Sequence, residues 1–206
     1  MKLVVLKLGG SLLNCPDLSN RLRGLLIQRA GCRVLIVVGG GASADVVREW
    51  SRLYALTEES AHWIAIRSLS VTRALVKHLL PEVGEVASHD EALSWWANNP
   101  APLLLDIETY LGQTESAAVV PLPHTWDVTS DSIAAWVAAR WSADELVLVK
   151  STSLASHLTL NQAQCDGLVD AQFPQFATQV PRIQWCNLLD AEPQILPWLP
   201  HAENTP

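Results

Sequence analysis

Apolar runs alternate with amphipathic stretches along the chain, and each type of stretch predicts a different element. Two apolar runs, APLLLDI (101–107) and AAVVPLP (117–123), predict short strands, and Pro121 marks the end of the second because proline has no N–H to donate. Three further runs are apolar almost throughout and predict strands covered on both faces of a sheet: LVVLKL (3–8), RVLIVV (33–38) and ELVLVK (145–150).

Apolar positions at helical spacing predict helices between these strands. The spacing indicates helices over 17–30, after a cap at Ser43, over 58–80 and over 129–141. Strands that alternate with helices are typical of an α/β fold with a mostly parallel sheet. Beyond residue 151 the pattern weakens, and six of the twelve prolines lie at 174–206. We therefore predict one α/β domain whose smaller C-terminal lobe consists of loops and short elements.

Glycine, serine and lysine residues lie at the ends of three predicted strands. In open α/β sheets, ligands bind beyond the carboxyl ends of the strands. Glycine lets the backbone approach a ligand, and the N-terminus of a following helix favours an anion. An ordinary turn explains each loop alone, but their recurrence at equivalent strand ends favours a phosphate-binding cleft. The residues concerned are Gly9, Gly10 and Ser11, then Gly39, Gly40 and Gly41, and finally Lys150 and Ser151.

Four charged residues could complete such a cleft. Lys7 and Lys150 lie in buried strands and could hold a phosphoryl group from two sides, or they could be edge-strand lysines that reach water. Asp127 and Asp131 flank the start of a helix. An acid at that place either orients the lysines and phosphates or interacts favourably with the helix dipole.

Two predicted helices carry charged pairs at i,i+4 spacing. Arg48 and Arg52 follow the triple glycine and could bind a substrate phosphate. Glu58 and His62 begin the long helix, where Glu58 could meet a substrate ammonium group. A solvated helix face is the alternative explanation for both pairs.

The composition limits the class of partner. The 206 residues carry a formal net charge of −7, which argues against a binder of nucleic acid or membrane surfaces because no basic field would attract polyanions. Four cysteines lie far apart without metal-ligand spacing, which favours reduced thiols in a cytoplasm. No signal peptide and no apolar run of roughly 20 residues is present, so we expect no membrane segment.

The pattern indicates one kind of reaction. Neither a Walker A pattern nor GxGxxG occurs, which argues against a P-loop or a dinucleotide-binding fold. Phosphoryl transfer needs amide donors, cations and a positioned acid around a charge-rich transition state. The glycine loops, the lysines and the aspartates supply these groups.

Four motifs in this order resemble the amino acid kinase superfamily: KLGGSLL, VVGGGASAD, WDVTSDSIAAWVA and LVLVKS. The resemblance implies a three-layer αβα sandwich with a mostly parallel central sheet. It implies an acceptor- and phosphate-binding part over 1–143 and a reduced nucleotide-binding lobe over 144–206. It also implies ATP as cofactor, Mg²⁺ carried by the ATP, a small phosphate acceptor as substrate and a homo-oligomer.

The resemblance assigns roles to residues by matching position. It implies catalytic roles for Lys7, Asp131 and Lys150. The segment CDGLVD (165–170) resembles the end of the superfamily's TDVDG nucleotide segment, which is otherwise not intact here. The residues implied to bind ATP or its phosphates are Gly9, Gly10, Ser11, Lys150, Ser151, Asp166 and Gly167. Those implied to bind the acceptor are Gly39, Gly40, Gly41, Arg48, Arg52, Glu58, His62, Trp126, Asp127, Thr129 and Ser130.

Within the superfamily, AHWIAIRSL together with WDVTSDSIA is most similar to the small aminomethylfuran phosphate kinases of methanofuran biosynthesis. That similarity implies phosphorylation of (5-(aminomethyl)furan-3-yl)methyl phosphate to its diphosphate. Glu58 suits the ammonium of this acceptor, Trp63 and Trp126 its ring, and Arg48 and Arg52 its phosphate. No histidine follows the triple glycine, which argues against an isoprenoid phosphate acceptor.

Two alternatives to this function remain open. The first is an enzyme of the same fold with another acceptor, either a carboxylate or a nucleoside monophosphate. The second is a non-catalytic nucleotide-binding or storage protein of this fold.

Overall fold

The computed structural model describes residues 1–155 and 158–199, and a sheet with helices on both sides dominates these residues. Its strands are β1 (Leu3–Leu8), β2 (Arg33–Val38), β3 (Gly84–Val86), β4 (Leu103–Leu105), β5 (Glu145–Lys150), β6 (Ile183–Asn187) and β7 (Leu196–Leu199). Its α-helices are α1 (Leu18–Ile27), α2 (Gly41–Leu53), α3 (Glu58–Leu79), α4 (His89–Trp96), α5 (Ile107–Thr114), α6 (Ser130–Arg140), α7 (Leu160–Cys165) and α8 (Phe173–Ala177).

The strands form one sheet in the order β3-β4-β2-β1-β5-β6-β7. Every neighbouring pair is parallel except β6 and β7, which are antiparallel. β1 lies in the middle, and Lys7 pairs with Val37 of β2 on one side and Leu148 of β5 on the other. Lys7 is therefore not an edge-strand lysine.

Both faces of the sheet are buried, because successive side chains of a strand point to opposite faces. Val5 of β1 and Leu148 of β5 belong to a core that α4 to α8 and the middle of α3 cover. Leu6 of β1 and Val149 of β5 belong to a second core on the other face, against α1 and the end of α3. The two cores confirm the predicted three-layer αβα sandwich.

The segment predicted as a strand over 117–123 forms no strand. A short 3-10 helix spans Glu115–Ala117, and the chain then continues as a loop up to α6. Pro121 and Pro123 cannot donate to a strand ladder, and the run packs only in part, because Val119 is 97% exposed whereas Leu122 is buried in the core. The strand prediction was wrong because it relied on apolar content alone.

The chain beyond residue 151 is more regular than its sequence indicates. β6 pairs with β5 from Ile183 to Asn187, so this segment extends the central sheet. Residues 200–206, the end of the proline-rich stretch, lie outside the described part of the chain. The helix expected after a cap at Ser43 begins two residues earlier, at Gly41, with Gly40 as its N-cap. Among the described residues, no helix has both the length and the apolar character that crossing a bilayer requires.

Candidate active site

Two glycine loops meet at the carboxyl ends of β1 and β2. Gly41 has a φ of +52°, a conformation that glycine adopts freely and other residues rarely do. A Cβ on Gly10 would lie 2.1 Å from the Gly41 nitrogen, so the two backbones touch without room for a side chain. A Cβ on Gly39 would come within 2.8 Å of Ser130 Oγ at the start of α6. The loops therefore form a surface of backbone atoms beside the N-terminus of α6.

Lys7, Asp131 and Lys150 form a buried charge cluster at the same end of the sheet. Lys7 Nζ lies 2.8 Å from Asp131 Oδ1, and Lys150 Nζ donates to Asp131 Oδ2 at 2.6 Å. Lys7 and Asp131 are each 4% exposed, and Lys150 also donates to the Leu168 carbonyl oxygen at 2.8 Å. One carboxylate between two ammonium groups leaves a net positive charge, which favours a bound phosphate.

These charges shift the pKa values of their neighbours. Burial by itself raises the pKa of Asp131, but the charges of Lys7 and Lys150 outweigh it and hold that pKa below its usual value. Burial, together with repulsion from Lys7, lowers the pKa of Lys150 to about 8 against the attraction of Asp131. Asp131 is therefore ionised at neutral pH, and Lys150 loses its charge on the mildly alkaline side.

Asp170 fixes the first turn of α6, which carries Asp131. Its Oδ2 accepts from the Thr129 N–H at 3.0 Å, the Thr129 hydroxyl at 2.7 Å and the Ser132 N–H at 3.0 Å. Its Oδ1 accepts from the Ser132 hydroxyl. Burial raises the pKa of Asp170, although the bonds from Ser132 and Thr129 oppose the rise. The donors that a helix start leaves unpaired are thus satisfied from a distant segment, and this orients Asp131 towards the lysines.

A pocket of about 230 Å³ opens beside the glycine loops. Arg48 Nη1 lies 2.5 Å from Asp45 Oδ1, and the Arg48 guanidinium carbon lies 5.0 Å from the centre of the Trp126 ring. The pocket thus places carboxylates, a guanidinium group and an aromatic face around one small space. The lining residues with polar or aromatic groups are Ser11, Asp45, Arg48, Glu58, His62, Thr125, Trp126, Thr129 and Ser130, and the loops contribute Gly10, Gly40 and Gly41.

A pair of stacked histidines supports one wall of the pocket. The rings of His62 and His124 are 4.1 Å apart between centres and 11° from parallel. His124 contacts Glu59 through Nδ1 and Glu115 Oε1 through Nε2, the latter at 3.0 Å. Burial, followed by the charge of His124, lowers the pKa of His62 to about 4, so His62 is neutral at physiological pH. Within the described residues, His62 Nε2 is buried without a hydrogen-bond partner.

The structure brings most of the predicted site residues together. Ser11 Oγ lies 2.9 Å from Ser151 Oγ, which joins the β1 loop to the loop after β5. The Gly9 N–H donates to the Val149 carbonyl oxygen at 2.8 Å and holds the same two loops together. The predicted residues that line the pocket or form the lysine cluster are Lys7, Gly10, Ser11, Gly40, Gly41, Arg48, Glu58, His62, Trp126, Thr129, Ser130, Asp131 and Lys150.

Four predicted site residues lie elsewhere. Arg52 is exposed one turn farther along α2 from the glycine loops than Arg48. Asp127 is exposed, and its carbonyl oxygen accepts from the Gln172 N–H at 3.2 Å. Asp166 and Gly167 form the exposed turn at the end of α7, where Gly167 has a φ of +69°. All four were selected by spacing or by motif resemblance, and neither determines the direction of a side chain.

Sequence reasoning missed three features of the site. Asp45 follows Gly41 by one helical turn, so helical spacing could have placed it at the pocket. Asp170 ends the segment CDGLVD, but nothing in the spacing distinguishes it from Asp166. The contacts of His124 with Glu59 and Glu115 carry no local signal, since Glu59 is 65 residues away along the chain.

The cleft at the carboxyl end of this parallel sheet, with its glycine loops and paired lysines, is typical of α/β proteins that act on phosphate groups. The chain belongs to the amino acid kinase family, whose family model matches residues 2–153. This membership confirms, at the level of the family, the prediction of a phosphotransferase with the amino acid kinase fold.

One curated relative matches over part of its length. It is the [5-(aminomethyl)furan-3-yl]methyl phosphate kinase of Methanocaldococcus jannaschii, 22% identical over 155 residues. The match covers 70% of this chain and 63% of that relative, which is less than two thirds of its length.

Solved structures of nucleotide and amino acid kinases share the fold. Uridylate kinase from Archaeoglobus fulgidus is 18% identical, with a TM-score of 0.60 over 90% of this chain and 89% of that one. UMP kinase from Ureaplasma parvum is 14% identical, with a TM-score of 0.62 over 93% of this chain and 92% of that one. Aspartate kinase from Synechocystis is 13% identical, with a TM-score of 0.60 over 96% of this chain but 41% of that one. At these identities the likeness concerns the fold alone.

Proposed function

We propose that this chain is an ATP-dependent kinase that adds a phosphoryl group to the phosphate of a small phosphorylated amine. The acceptor we propose is (5-(aminomethyl)furan-3-yl)methyl phosphate, and its product is the diphosphate. The observation that carries the proposal is the small pocket of mixed charge directly beside the glycine loops and the Lys7–Asp131–Lys150 cluster. The name of the relative from Methanocaldococcus jannaschii supports the same acceptor.

The lining of the pocket suits the three parts of this acceptor. Glu58 is a carboxylate that attracts an ammonium group, whereas Asp45 is paired with Arg48, and the Trp126 ring offers a face for a furan. The backbone N–H groups of the glycine loops and the Arg48 guanidinium suit a phosphate. At about 230 Å³ the pocket is below the range of roughly 300–1,000 Å³ typical of drug-sized ligands, which favours a small acceptor over a nucleoside monophosphate.

The residues of the cleft also fit the phosphates of ATP. The close approach of Gly10 to Gly41 leaves backbone atoms without side chains, and the lysine cluster beside it carries an excess positive charge. We propose that Lys7, Gly9, Gly10, Ser11, Lys150 and Ser151 hold these phosphates and that the nucleotide-binding part spans 144–206. Mg²⁺-ATP supplies the phosphoryl group and the divalent cation that offsets its charge.

Asp131 positions the two lysines in this proposal. Its two oxygens face Lys7 and Lys150, so we place Mg²⁺ on the ATP phosphates rather than on this carboxylate. Held in fixed positions, the two ammonium groups stabilise charge that develops on the transferred phosphoryl group without having to reorganise. Because phosphoryl transfer is dominated by positioning and electrostatics, the chain needs no further general base.

The test is an assay of the purified chain with ATP, Mg²⁺ and the aminomethylfuran phosphate. We expect ADP and the diphosphate in equal amounts, and neither product when the acceptor or Mg²⁺ is omitted. UMP and a glutamate-type carboxylate are assayed in parallel, with hydroxylamine to trap an acyl phosphate. Turnover of one of these instead of the amine would replace the proposed acceptor, and tight ATP binding without any turnover would favour the non-catalytic alternative.

We further propose a cytoplasmic homo-oligomer. All four cysteines are free thiols, which suits a reducing compartment. Large apolar side chains are exposed along α2, which suits a contact with a second copy of the chain.

A further inference from the structure

The loop between α5 and α6 forms one wall of the pocket through Thr125, Trp126 and Val128. It contains no regular strand. Leu122 and Val128 anchor it in the core, and polar contacts with other elements attach it further. One is the hydrogen bond from Trp136 Nε1 to the Val120 carbonyl oxygen at 2.8 Å, and another is the bond from the Gln172 N–H to Asp127. The third attachment is His124, two residues before Trp126.

His124 joins this loop to two carboxylates on different elements. Its Nδ1 contacts Glu59 in the first turn of α3, and its Nε2 contacts Oε1 of Glu115, which is 5% exposed. An ionised carboxylate only accepts hydrogen bonds, and the imidazolium is the form of histidine that donates from both nitrogens. A neutral ring would satisfy one carboxylate and present a lone pair to the other. The two contacts therefore favour a charged His124.

Two neighbouring side chains hold His124 and its partner Glu59 in place. Glu59 also accepts from Trp63 Nε1 at 2.8 Å, which fixes its carboxylate. His62 stacks on His124 and is itself part of the pocket lining, so the position of one ring sets the position of the other.

We propose that His124 is a positioning residue that clamps the loop over 118–128 to the start of α3 and thereby holds Trp126 and His62 in the acceptor pocket. His124 is not part of the pocket lining, so it acts through these two residues. The consequence for acceptor binding rests on the proposed kinase function. The attachment of the loop by His124 does not rest on that function, and it can be measured without turnover.

The contacts of His124 with its two carboxylates weaken as the pH rises. Burial lowers the pKa of His124, but the hydrogen bonds and charges of Glu59 and Glu115 outweigh it and raise the pKa above its usual value. The groups that face the ring are Glu59 and His62 from α3 and Glu115 from the 3-10 helix. A raised pKa means that the clamp is complete at lower pH and is lost as the pH rises through that pKa.

The same residues do not form a metal site in this arrangement. Ligand atoms of His62, Glu115 and His124 lie within 4.8 Å of one another. The two rings are nearly parallel, and a metal ion must lie close to the plane of each imidazole that binds it. No single position satisfies both stacked rings, and both nitrogens of His124 already contact carboxylates.

The first test is hydrogen exchange of backbone amides at pH 7 in wild type, His124→Asn and Glu59→Gln. We expect amides of residues 118–128 to exchange about tenfold faster in His124→Asn and in the same direction, less strongly, in Glu59→Gln. The matched control is His78→Asn, an exposed histidine in the last turn of α3, which should leave this loop unchanged. Equal exchange in wild type and both clamp variants would overturn the proposal whether or not the chain is a kinase.

The second test uses the acceptor assay. We expect His124→Asn to raise KM for the aminomethylfuran phosphate about tenfold with kcat within about twofold of wild type. In wild type, KM should rise with pH through the raised pKa of His124, and the His124→Asn profile should lack that rise. A tenfold loss of kcat at unchanged KM would contradict the clamp. So would evidence of a metal role, namely that a chelator abolishes activity and that Zn²⁺ restores this activity in wild type but not in His124→Asn. If wild type turns over no acceptor, the proposed function fails, but the hydrogen-exchange experiment still tests whether His124 holds the loop in place.

Discussion

At the scale of single residues, Lys7 is a charged side chain buried in the central strand of the sheet. A lysine in the central strand of a sheet is costly to bury unless an anion meets it. Asp131 meets it at 2.8 Å, and a second lysine, Lys150, shares the same carboxylate. The sequence predicted that these three residues act together. It could not predict that the aspartate lies between the lysines, because that arrangement depends on how α6 packs on β1 and β5.

Replacing Lys7 by methionine tests its role in phosphoryl transfer. We expect Lys7→Met to lower kcat by about 100-fold or more, because a fixed positive charge at the transferred phosphoryl group is lost. Unfolding free energy should fall by less than the roughly 3 kcal/mol usual for breaking a buried ion pair, because Lys150 still neutralises Asp131 and its repulsion with Lys7 is removed. Steady-state kinetics and urea denaturation measure the two effects.

Lys2→Met is the matched control for this substitution, because Lys2 lies just before β1 with a side chain that is 56% exposed. It should leave kcat unchanged and lower the unfolding free energy by at most about 1 kcal/mol, because its contact with Glu145 is half exposed and Arg182 still pairs with that carboxylate. Wild-type kcat in Lys7→Met would remove Lys7 from the site.

The lowered pKa of Lys150 predicts the alkaline side of the pH profile. Its ammonium group loses a proton as the pH rises through about 8, and the positive charge beside the phosphates is lost with it. We therefore expect kcat/KM, which reports the pKa of the ligand-free protein, to decline above pH 8 in wild type. Lys150→Arg keeps a charge at every accessible pH, so its kcat/KM should be lower but should lack this decline. An identical alkaline decline in both proteins would assign it to another group.

At the scale of elements, the two glycine loops and α6 depend on each other. Gly10 touches the backbone of Gly41, and Gly39 lies against Ser130 at the start of α6. The glycine runs were visible in the sequence. Their mutual contact was not, because it arises only when β1 and β2 pair in register and bring their carboxyl ends side by side.

A pair of glycine substitutions tests the contact between the loops. A Cβ on Gly10 would meet backbone 2.1 Å away, so Gly10→Ala should destabilise the chain by about 1–3 kcal/mol and abolish kinase activity. Gly24 lies exposed in α1 with nothing within 4 Å of its Cβ position, so Gly24→Ala should stabilise the chain by about 0.5–1 kcal/mol. Thermal unfolding measures both changes. If the melting temperatures of Gly10→Ala and Gly24→Ala shifted in the same direction, the contact between the two loops would not explain their effects on stability.

The elements that sequence patterns missed share a physical cause. The run over 117–123 is apolar, yet its two prolines and its position beyond the sheet leave it a loop. β6 spans Ile183–Asn187, and its partner β5 supplies the hydrogen bonds that make it a strand. Both cases depend on what lies next to the segment in space, and local composition does not contain that information.

At the scale of the whole molecule, α2 presents an apolar stripe to the outside. Val46, Trp50, Leu53 and Tyr54 recur at helical spacing and are 43%, 48%, 68% and 69% exposed. A contiguous apolar surface of this kind marks an interaction site more often than a free surface. It lies on the same helix as Arg48, so a partner there would also brace the pocket.

If the chain self-associates through this stripe, a single substitution within the stripe should lower the mass of the particle in solution. We expect the wild-type chain to sediment as a homodimer or larger oligomer and Trp50→Glu to shift it towards the monomer, because a buried charge without a partner is costly. Leu189→Glu, in the turn after β6 at 44% exposure, is the matched control and should leave the mass unchanged. A wild-type monomer at micromolar concentration would contradict the proposed oligomer.

The sequence by itself determined the layers of the fold and the chemistry of the cleft. Continuous apolar runs indicate a sheet buried on both faces, and glycines and lysines at the strand ends favour an anionic ligand. Only the tertiary structure decided which residues meet: Asp131 between two lysines, Asp170 at the start of α6, and His124 between Glu59 and Glu115. The physical reason is that periodicity and composition report how each segment is buried, whereas a site depends on distances between side chains far apart along the chain.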